Sequence, residues 1–173
     1  LLLFGSLVYF TSRGPILFKQ ERVGLRGRIF YQYKLRSMVS NAEEIKEYIS
    51  HLNEQSGPVF KIKNDPRLTS VGKFMRKYSI DELPQLFNII RGSMTLIGPR
   101  PPVPSEVKEY KDSHLRRLSM KPGITGLWQV SGRNKIKDFD QWVKLDLEYI
   151  ENWSFSMDLK IAIKTVSTVL SGT

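Results

Sequence analysis

Apolar and polar residues alternate along residues 29–36, which is the pattern of a β-strand with two different faces. One face is apolar, and the other is mixed and would present Lys34 and Arg36 together. A second apolar-rich run, at 16–23, precedes the glycine-containing turn 24–27. Two such runs joined by a glycine turn predict a β-hairpin.

Apolar residues at three- and four-residue steps predict that most of the remaining chain is helical. The predicted helices are those at 41–55, 71–77, 83–90, 105–120, 138–153 and 157–170. Asn41 and Glu44 would form a capping box at the start of the first helix. Four prolines make the segment 97–104 extended, and 121–126 is predicted to be a loop. The predicted fold class is α+β, predominantly helical with one small β-hairpin.

The first ten residues are almost wholly apolar and do not begin with methionine. A helix that spans a bilayer needs roughly 20 apolar residues, so this run is too short to do so by itself. It also lacks the basic region that begins a signal peptide. We interpret it as the tail of a longer membrane-inserted helix, and an ordinary buried helix or strand is the alternative.

The charge of the chain favours anionic partners. Its 173 residues include 27 Lys and Arg against 17 Asp and Glu, a net charge of +10. Such an excess suits nucleic acid, phosphorylated substrates or the anionic surface of a cytoplasmic leaflet. The absence of cysteine excludes disulfides and thiolate zinc sites, and two histidines argue against a multi-histidine metal centre.

Two adjacent carboxylates, Asp81 and Glu82, lie in a strongly cationic stretch of the sequence, shortly after Arg76 and Lys77. Ser79 and Glu82 match the capping-box pattern, which explains the acids without any chemistry. Pro84 fits better if the helix begins at Asp81, because proline is tolerated only in a first turn. Either start places both carboxylates at a helix N-terminus, so capping and catalysis both remain open at this point.

The neighbouring cations indicate what the pair could do chemically. Arg76 and Lys77 favour the ionised forms of nearby acids, which keeps an aspartate available as a nucleophile. An aspartate can attack phosphorus and form an aspartyl-phosphate. Because the carboxylate and the phosphate are both anions, a divalent ion such as Mg²⁺ is expected between them.

The aromatic and histidine side chains are predicted to be structural. Trp128, Trp142 and Trp153 are more typical of core or interface packing than of sugar stacking, because aromatic residues at helical spacing are usually buried. His51 and His114 are interpreted as solvated side chains without a functional partner.

Six motifs in order resemble those of the bacterial sugar transferases, also called polyprenyl-phosphate hexose-1-phosphate transferases or monotopic phosphoglycosyl transferases. The resemblance extends from about Gly14 to Leu170. Its motifs occupy residues 20–24, 33–38, 64–69, 79–88, 98–101 and 121–134.

The resemblance implies a reaction and a set of site residues. Such enzymes move a sugar-1-phosphate from a UDP-sugar to undecaprenyl phosphate through an aspartyl-phosphosugar intermediate, which starts capsule, O-antigen or exopolysaccharide assembly. It implies that Asp81 is the nucleophile and that Glu82, with Asp81, binds Mg²⁺. The same comparison assigns contacts with phosphate to four cationic residues, Lys34, Arg76, Arg100 and Arg133.

The resemblance also implies a location. Family members have an N-terminal re-entrant helix bent at a Ser-Pro step, and residues 1–13 resemble its returning half, although the Ser-Pro step is absent. Residues 14–173 would be the catalytic domain, on the cytoplasmic face of the bacterial inner (plasma) membrane. The expected partners are a UDP-sugar, undecaprenyl phosphate and membrane lipid. Apolar helices near the C-terminus could support a homodimer.

Two other functions account for part of the pattern. A basic module that binds nucleic acid or anionic lipid would explain the charge, but an acid pair inside the cationic cluster repels a polyanion, so no nucleic-acid partner is expected. A metal-dependent phosphohydrolase would cleave nucleotide sugars by attack of water. Within the leading interpretation, the family's commonest longer members suggest UDP-glucose or UDP-galactose as the donor.

Overall fold

The computed structural model describes residues 2–12, 14–132 and 136–172. Within them, four short strands lie among nine helices. The strands are β1 (Leu17–Val23), β2 (Ile29–Leu35), β3 (Thr95–Ile97) and β4 (Gly123–Thr125). The helices are α1 (Leu2–Thr11), α2 (Ala42–Tyr48), α3 (Ser70–Lys77), α4 (Leu86–Ile90), α5 (Pro104–Lys108), α6 (Asp112–Leu115), α7 (Leu127–Val130), α8 (Phe139–Glu151) and α9 (Phe155–Ser171). Short 3₁₀ segments add Leu25–Gly27, Ser50–Leu52, Ile80–Gln85 and Arg116–Ser119.

The predicted hairpin is confirmed. β1 and β2 pair antiparallel, with Leu17 opposite Leu35 and Val23 opposite Ile29. The two charged residues of the mixed face have different surroundings. Lys34 reaches Glu82, whereas the Arg36 guanidinium donates to the carbonyl oxygens of Ser12 and Gly14. Arg36 therefore fastens the segment after α1, and it does not join Lys34 in one site.

Several helices are shorter than the periodicity predicts. The helix expected at 41–55 ends at Tyr48 and continues as a 3₁₀ turn, and the side chain of Asn41 does not cap it. The predicted helix at 105–120 is divided into α5, α6 and the 3₁₀ segment Arg116–Ser119. The predictions for α8 and α9 are confirmed to within a few residues.

A parallel pair formed by β3 and β4 was not predicted, and the expectation that 121–126 is a loop is wrong. The segments approach so closely that a Cβ on Gly98 would lie 2.5 Å from the Lys121 carbonyl oxygen. Glycine is needed there because any side chain would separate the two strands. The pair ties the segment before the prolines to the second half of the chain.

Two hydrophobic clusters form the core. One joins α7 and α8 through Val59, Trp128, Ile136, Phe139, Trp142 and Val143. The other joins α1, β2 and α3 through Val8, Leu35 and Met75, and Ile80 packs against it. This second cluster lies under the 3₁₀ segment Ile80–Gln85 and so supports the two acids.

The predictions for the aromatic and histidine residues are partly wrong. Trp128 and Trp142 are buried as expected, and the exposure of Trp153 excludes core packing for it and leaves the predicted interface packing as a prediction. His114 is buried, and its Nε2 lies 2.9 Å from Asp140 Oδ1, so it is not the solvated residue that the sequence indicated. Asp140 lies 26 positions away, a pairing that local sequence does not show.

The apolar N-terminal run is helical, and α1 buries Val8 in the second core cluster while Leu3, Tyr9 and Phe10 are exposed. None of the helices in the described part of the chain combines the length and the apolar character that crossing a membrane requires. The interpretation of residues 1–13 as part of a re-entrant helix stays a prediction.

Candidate active site

The two adjacent acids lie in the first turn of the 3₁₀ helix Ile80–Gln85. Ser79 precedes it with a left-handed backbone (φ 53°, ψ 23°), and its side chain makes no capping hydrogen bond. The predicted capping box is therefore wrong, although the carboxylates do lie at a helix N-terminus. The backbone carbonyl oxygen of Ser79, and not its side chain, accepts a hydrogen bond from the Glu82 N–H at 3.2 Å. A non-glycine residue in this region is uncommon, and such conformations concentrate at functional sites.

Glu82 forms an ion pair with Lys34, with Lys34 Nζ 2.8 Å from Glu82 Oε1. Lys34 comes from β2 and Glu82 from the 3₁₀ helix, so the pair joins two elements that are 48 residues apart in sequence. Both side chains are about a quarter exposed, at 25% and 23%. The pair is therefore accessible to a ligand from solvent while still being partly shielded.

Asp81 is buried, with 4% of its surface exposed, and its carboxylate interacts electrostatically with Arg76. The Arg76 guanidinium lies at the end of α3, where its Nε donates to Ser37 Oγ at 2.9 Å. Part of the Arg76 side chain is open to solvent, but neighbouring atoms remove water from the rest of it, and this desolvation lowers the pKa of Arg76. Asp81 is the strongest of the negative charges that oppose this lowering. The arrangement places a cation beside a largely desolvated carboxylate.

Three side-chain amides hold the acid-bearing segment against β2. Gln32 Nε2 donates to Gln85 Oε1 at 3.0 Å, and both residues are buried. Asn88 accepts from the Tyr33 N–H at 3.1 Å and donates to the Tyr31 carbonyl oxygen at 2.7 Å. Because Gln85 and Asn88 follow the acids closely in sequence, these bonds determine where Asp81 and Glu82 lie relative to Lys34.

Arg100 lies in a different charge cluster from Lys34 and Arg76. Its guanidinium pairs with Glu106 at 3.0 Å and lies over the Trp142 ring, 5.2 Å from the ring centroid. Burial acts to lower the pKa of Arg100, but the charge of Glu106 raises it overall. Burial acts to raise the pKa of Glu106, but the charge and hydrogen bond of Arg100 outweigh it and leave that pKa below its usual value. A phosphate would have to share Arg100 with this partner.

Arg22 is a candidate that the sequence reasoning missed, although it lies in the first of the six motifs. It is buried, and it donates to the Pro101 carbonyl oxygen at 2.9 Å and to Gln20 Oε1 at 2.6 Å. Burial, followed by the charge of Arg100, lowers the pKa of Arg22 to about 9, and Glu106 and Glu82 act in the opposite direction. Arg22 therefore interacts electrostatically with Glu82 of the acid pair and also with Arg100 and Glu106 of the neighbouring cluster. The signal available in the sequence was only an arginine within a predicted strand and a motif; its burial and its partner Pro101 were not visible there.

Of the six predicted site residues, four come together: Lys34, Arg76, Asp81 and Glu82. Arg100 belongs to the neighbouring cluster, and Arg133 lies outside the described residues.

The described residues contain no group of three or more His, Cys, Asp or Glu side chains that could hold a metal ion. Two carboxylates nevertheless fit Mg²⁺, which is commonly bound by one or two carboxylates together with substrate phosphates and water. Asp81 and Glu82 supply hard oxygen donors of this kind at adjacent positions. The donor set is therefore compatible with a magnesium ion shared with a phosphorylated substrate.

Two surface cavities lie away from the acid pair. One, of about 520 Å³, is lined by residues of α6 and α8 that include His114, and the other, of about 650 Å³, by residues of α2 with Phe60. Neither contains Lys34, Arg76, Asp81 or Glu82. Charge and burial, and not cavity size, identify the candidate site.

Comparison with known proteins connects this chain to one family. The model of the bacterial sugar transferase family matches residues 1–172. The chain is 54% identical over 160 residues to the galactosyl transferase CpsE of Streptococcus agalactiae serotype III, covering 92% of this chain and 36% of that protein.

Two further relatives have similar coverage. The undecaprenyl-phosphate galactose phosphotransferase of Salmonella typhimurium is 48% identical over 91% of this chain and 34% of its own length. The UDP-galactose-lipid carrier transferase of Erwinia amylovora is 44% identical over 95% of this chain and 35% of its own length. The chain therefore spans about a third of the length of each of these three proteins.

Proposed function

Because the chain belongs to the bacterial sugar transferase family, we propose that it transfers a hexose-1-phosphate from a UDP-sugar to undecaprenyl phosphate. The product would begin the assembly of a capsule, an O-antigen or an exopolysaccharide. The names of two relatives support the two substrates, one through an undecaprenyl-phosphate acceptor and the other through a UDP-galactose donor.

The proposed reaction has two displacements at phosphorus. A carboxylate oxygen of Asp81 attacks the β-phosphorus of the UDP-sugar, and the bond from that phosphorus to the bridging oxygen breaks, which releases UMP. The phosphosugar is then held on Asp81. An oxygen of undecaprenyl phosphate attacks the same phosphorus, the bond to Asp81 breaks, and the lipid diphosphate-linked sugar leaves with Asp81 restored.

The other residues of the cluster would serve this chemistry by binding charge. Lys34 and Arg76 would contact phosphate oxygens, for which the two-pronged guanidinium of Arg76 is well suited. Mg²⁺, held by Glu82 with Asp81, would neutralise phosphate charge that otherwise repels the attacking carboxylate. Arg100 and Arg133 remain proposed phosphate contacts, with Arg100 drawn from its present partner, Glu106.

One observation carries the proposal. Asp81 is a buried carboxylate next to a cation, and the residue that follows it is already paired with a second cation at a partly open position. A carboxylate that served only as a helix cap would be expected to face solvent and the helix amides. Partial removal from water strengthens a carboxylate as a nucleophile towards a phosphate that the cations have bound.

The proposal includes a location at the cytoplasmic face of the bacterial inner membrane, since undecaprenyl phosphate is a lipid. The surface of α9 supports contact with lipid. Large apolar side chains recur along it, and all are more than half exposed: Phe155, Leu159, Ile163, Val166 and Leu170. Lys160 and Lys164 lie beside them, and Asp158 is bonded to Tyr149 and Trp153. An apolar stripe flanked by lysines matches an anionic lipid surface.

Trapping the covalent intermediate tests the reaction. The protein is incubated with Mg²⁺ and UDP-galactose or UDP-glucose labelled in the β-phosphate, and protein-bound label is measured after denaturation. We expect label on the wild type, its loss in Asp81→Asn, and its release when undecaprenyl phosphate is added. Asp112→Asn, which changes an exposed aspartate in α6, serves as the matched control and should retain the label.

Other outcomes would point to the alternative functions. UMP release by Asp81→Asn at the wild-type rate, with lipid acceptor and Mg²⁺ present, would show that Asp81 is not the nucleophile. Release of free sugar phosphate without protein-bound label would indicate hydrolysis by water. Binding of nucleic acid with no UMP release from any UDP-sugar in a panel of glucose, galactose and N-acetylhexosamines would favour a binding module.

A further inference from the structure

Asn88 makes an unusually complete set of hydrogen bonds for a residue that no part of the proposed reaction uses. It is 2% exposed. Its Oδ1 accepts from the Tyr33 N–H at 3.1 Å, and its Nδ2 donates to the Tyr31 carbonyl oxygen at 2.7 Å. These two backbone groups lie on the edge of β2 that is not paired with β1, because residues i and i+2 of a strand point their groups to the same side. The side chain thus occupies the place of a neighbouring strand.

The backbone of Asn88 is fixed as firmly as its side chain. Its carbonyl oxygen accepts hydrogen bonds from the N–H groups of Ser93, at 3.0 Å, and Met94, at 3.2 Å. Met94 is buried, so the end of α4 is anchored in the interior. Because its side chain is bonded to β2 and its backbone to the segment after α4, Asn88 couples the position of β2 to that of α4.

The two ends of this connection are the groups that meet in the candidate site. Lys34 directly follows Tyr33, and the 3₁₀ helix with Asp81 and Glu82 runs without interruption into α4. The Gln32–Gln85 bond fastens the same two elements between these points. A slip of β2 against α4 would separate Lys34 from Glu82, which now lie 2.8 Å apart.

We propose that Asn88 is a positioning residue whose side-chain amide, by pairing with the edge of β2, aligns Asp81 and Glu82 with Lys34. This inference rests on the proposed function of the site for its effect on catalysis. It requires both halves of the amide, one to accept from Tyr33 and one to donate to Tyr31. Aspartate at this position has the same shape but, when ionised, has no donor for the Tyr31 oxygen.

That requirement gives the substitution Asn88→Asp a distinctive pH dependence. The ionised carboxylate would place an oxygen against the Tyr31 carbonyl oxygen, and an unpaired buried acceptor is destabilising. The protonated carboxyl can accept and donate as the amide does. The ionisable groups on the packed elements include Tyr31, Tyr33 and Lys34 on β2, Asp81 and Glu82 on the 3₁₀ helix, and Arg91 after α4, and all of them are also present in the wild type with which the variant is compared. Recovery at acid pH therefore reports the introduced carboxyl.

The experiment compares the wild type, Asn88→Asp and Asn88→Ala in UMP release across pH 5.5 to 8.5, the approximate range in which a buried carboxyl titrates. Each rate is normalised to the folded fraction. At the alkaline end we expect kcat to fall roughly tenfold to a hundredfold in both variants, since a small misplacement of reacting groups has effects of this size. The KM for the UDP-sugar should change much less. As pH falls, the kcat of Asn88→Asp relative to wild type should rise, and that of Asn88→Ala should not.

Asn152→Asp is the matched control, because the Asn152 amide also donates to a backbone carbonyl oxygen, that of Glu148, at 3.0 Å but on an exposed helix end. It should follow the wild type at every pH. Unchanged kcat per folded molecule in both Asn88 variants would show that Asn88 only stabilises the fold, and would overturn the proposal.

Hydrogen exchange separates failure of this inference from failure of the proposed function. The Tyr33 amide should exchange faster in Asn88→Asp at alkaline pH than in the wild type, with protection restored at acid pH. If this exchange result were obtained with a wild-type protein that releases no UMP, the alignment by Asn88 would be supported and the proposed reaction would be contradicted. Wild-type exchange in Asn88→Asp throughout would remove the alignment whatever the activity.

Discussion

Arg100 shows how a partner changes the role that a sequence motif suggests for a residue. The sequence places it in the proline-rich segment 97–104, and the resemblance to the family implies that it contacts phosphate. In the structure Glu106 and the Trp142 ring engage its guanidinium. The ion pair is formed within one chain segment, whose path depends on where the segment packs. Sequence reasoning could identify the cation but not its partner.

Lys34 and Arg76 were more predictable because their elements were. The alternation of β2 fixes the face on which Lys34 lies, and the helical period of α3 places Arg76 away from the apolar side chains of that helix. Arg22 and His114 were missed for the opposite reason. Their partners, Pro101 and Asp140, are 79 and 26 positions away, and local patterns carry no information about such pairs.

Glu106 gives a prediction at this scale. Its pKa lies below the usual value, so its ionised form stabilises the fold at neutral pH, and this contribution is lost as pH falls through the lowered pKa. Glu106→Gln removes the charge, and we expect it to lower the free energy of unfolding at pH 7 by about 2 kcal/mol. Urea unfolding at pH 7 and at acid pH should show the difference narrowing on acidification. A difference that widened in acid would contradict this sign.

At the scale of elements, the sequence predicted best where a pattern ran long enough to be read. The hairpin and the helices α8 and α9 each contain at least seven residues of one periodicity. β3 and β4 have three residues each, too few for an alternation to show, and their glycines resemble those of a loop. The charged segment 105–120 has helical composition. It forms several short helices instead of one, because Glu106 pairs with Arg100 and Lys111 with Asp140.

Gly72 gives a prediction about how α3 is placed. A Cβ at this position would overlap the Ser37 carbonyl oxygen, so α3 could pack as it does only with glycine there. Ser37 also holds Arg76 through its hydroxyl group. Gly72→Ala should therefore displace α3 and lower the free energy of unfolding by about 2 kcal/mol, as overpacking of a well-packed site does.

Gly5→Ala is the control for that measurement. Gly5 is also a helical glycine, but its Cβ would lie 3.4 Å from the nearest atom, in ordinary contact with Ile16. Alanine is favoured over glycine inside a helix, so urea unfolding should show equal or greater stability. Equal behaviour of the two variants would mean that α3 can move aside without loss.

At the scale of the whole molecule, exposed apolar side chains and positive charges occur on the same surface, that of α9. The stripe on α9 leaves large apolar side chains in contact with water, which a soluble surface seldom does over so long a helix. Lysines beside the stripe would repel one another across a symmetric interface between two copies, whereas an anionic lipid surface neutralises them. Lipid is therefore the occupant that the charge favours, although the predicted homodimer remains a prediction.

Sedimentation with vesicles tests the lipid contact. Ile163→Glu should weaken binding to phosphatidylglycerol vesicles about tenfold or more, because burial of such a side chain contributes about 1.5–3 kcal/mol. Ser113→Glu, which makes the same charge change on exposed α6, should have little effect, and added salt should weaken binding by the wild type. If Ile163→Glu instead converted a dimer into a monomer and left vesicle binding unchanged, the stripe would be a contact between copies.

The different surroundings of the three tryptophans give the protein two intrinsic optical signals. Trp128 and Trp142 pack against each other in the core, with ring centroids 3.9 Å apart and the ring planes tilted by 30°, so their emission follows the integrity of the fold. Trp153 is 55% exposed and lies two residues before Phe155, the first residue of α9. Indole rings favour the boundary between lipid and water, and their emission shifts to shorter wavelength when water is excluded. One fluorescence spectrum should therefore distinguish the proposed attachment to a membrane from unfolding, without any added label.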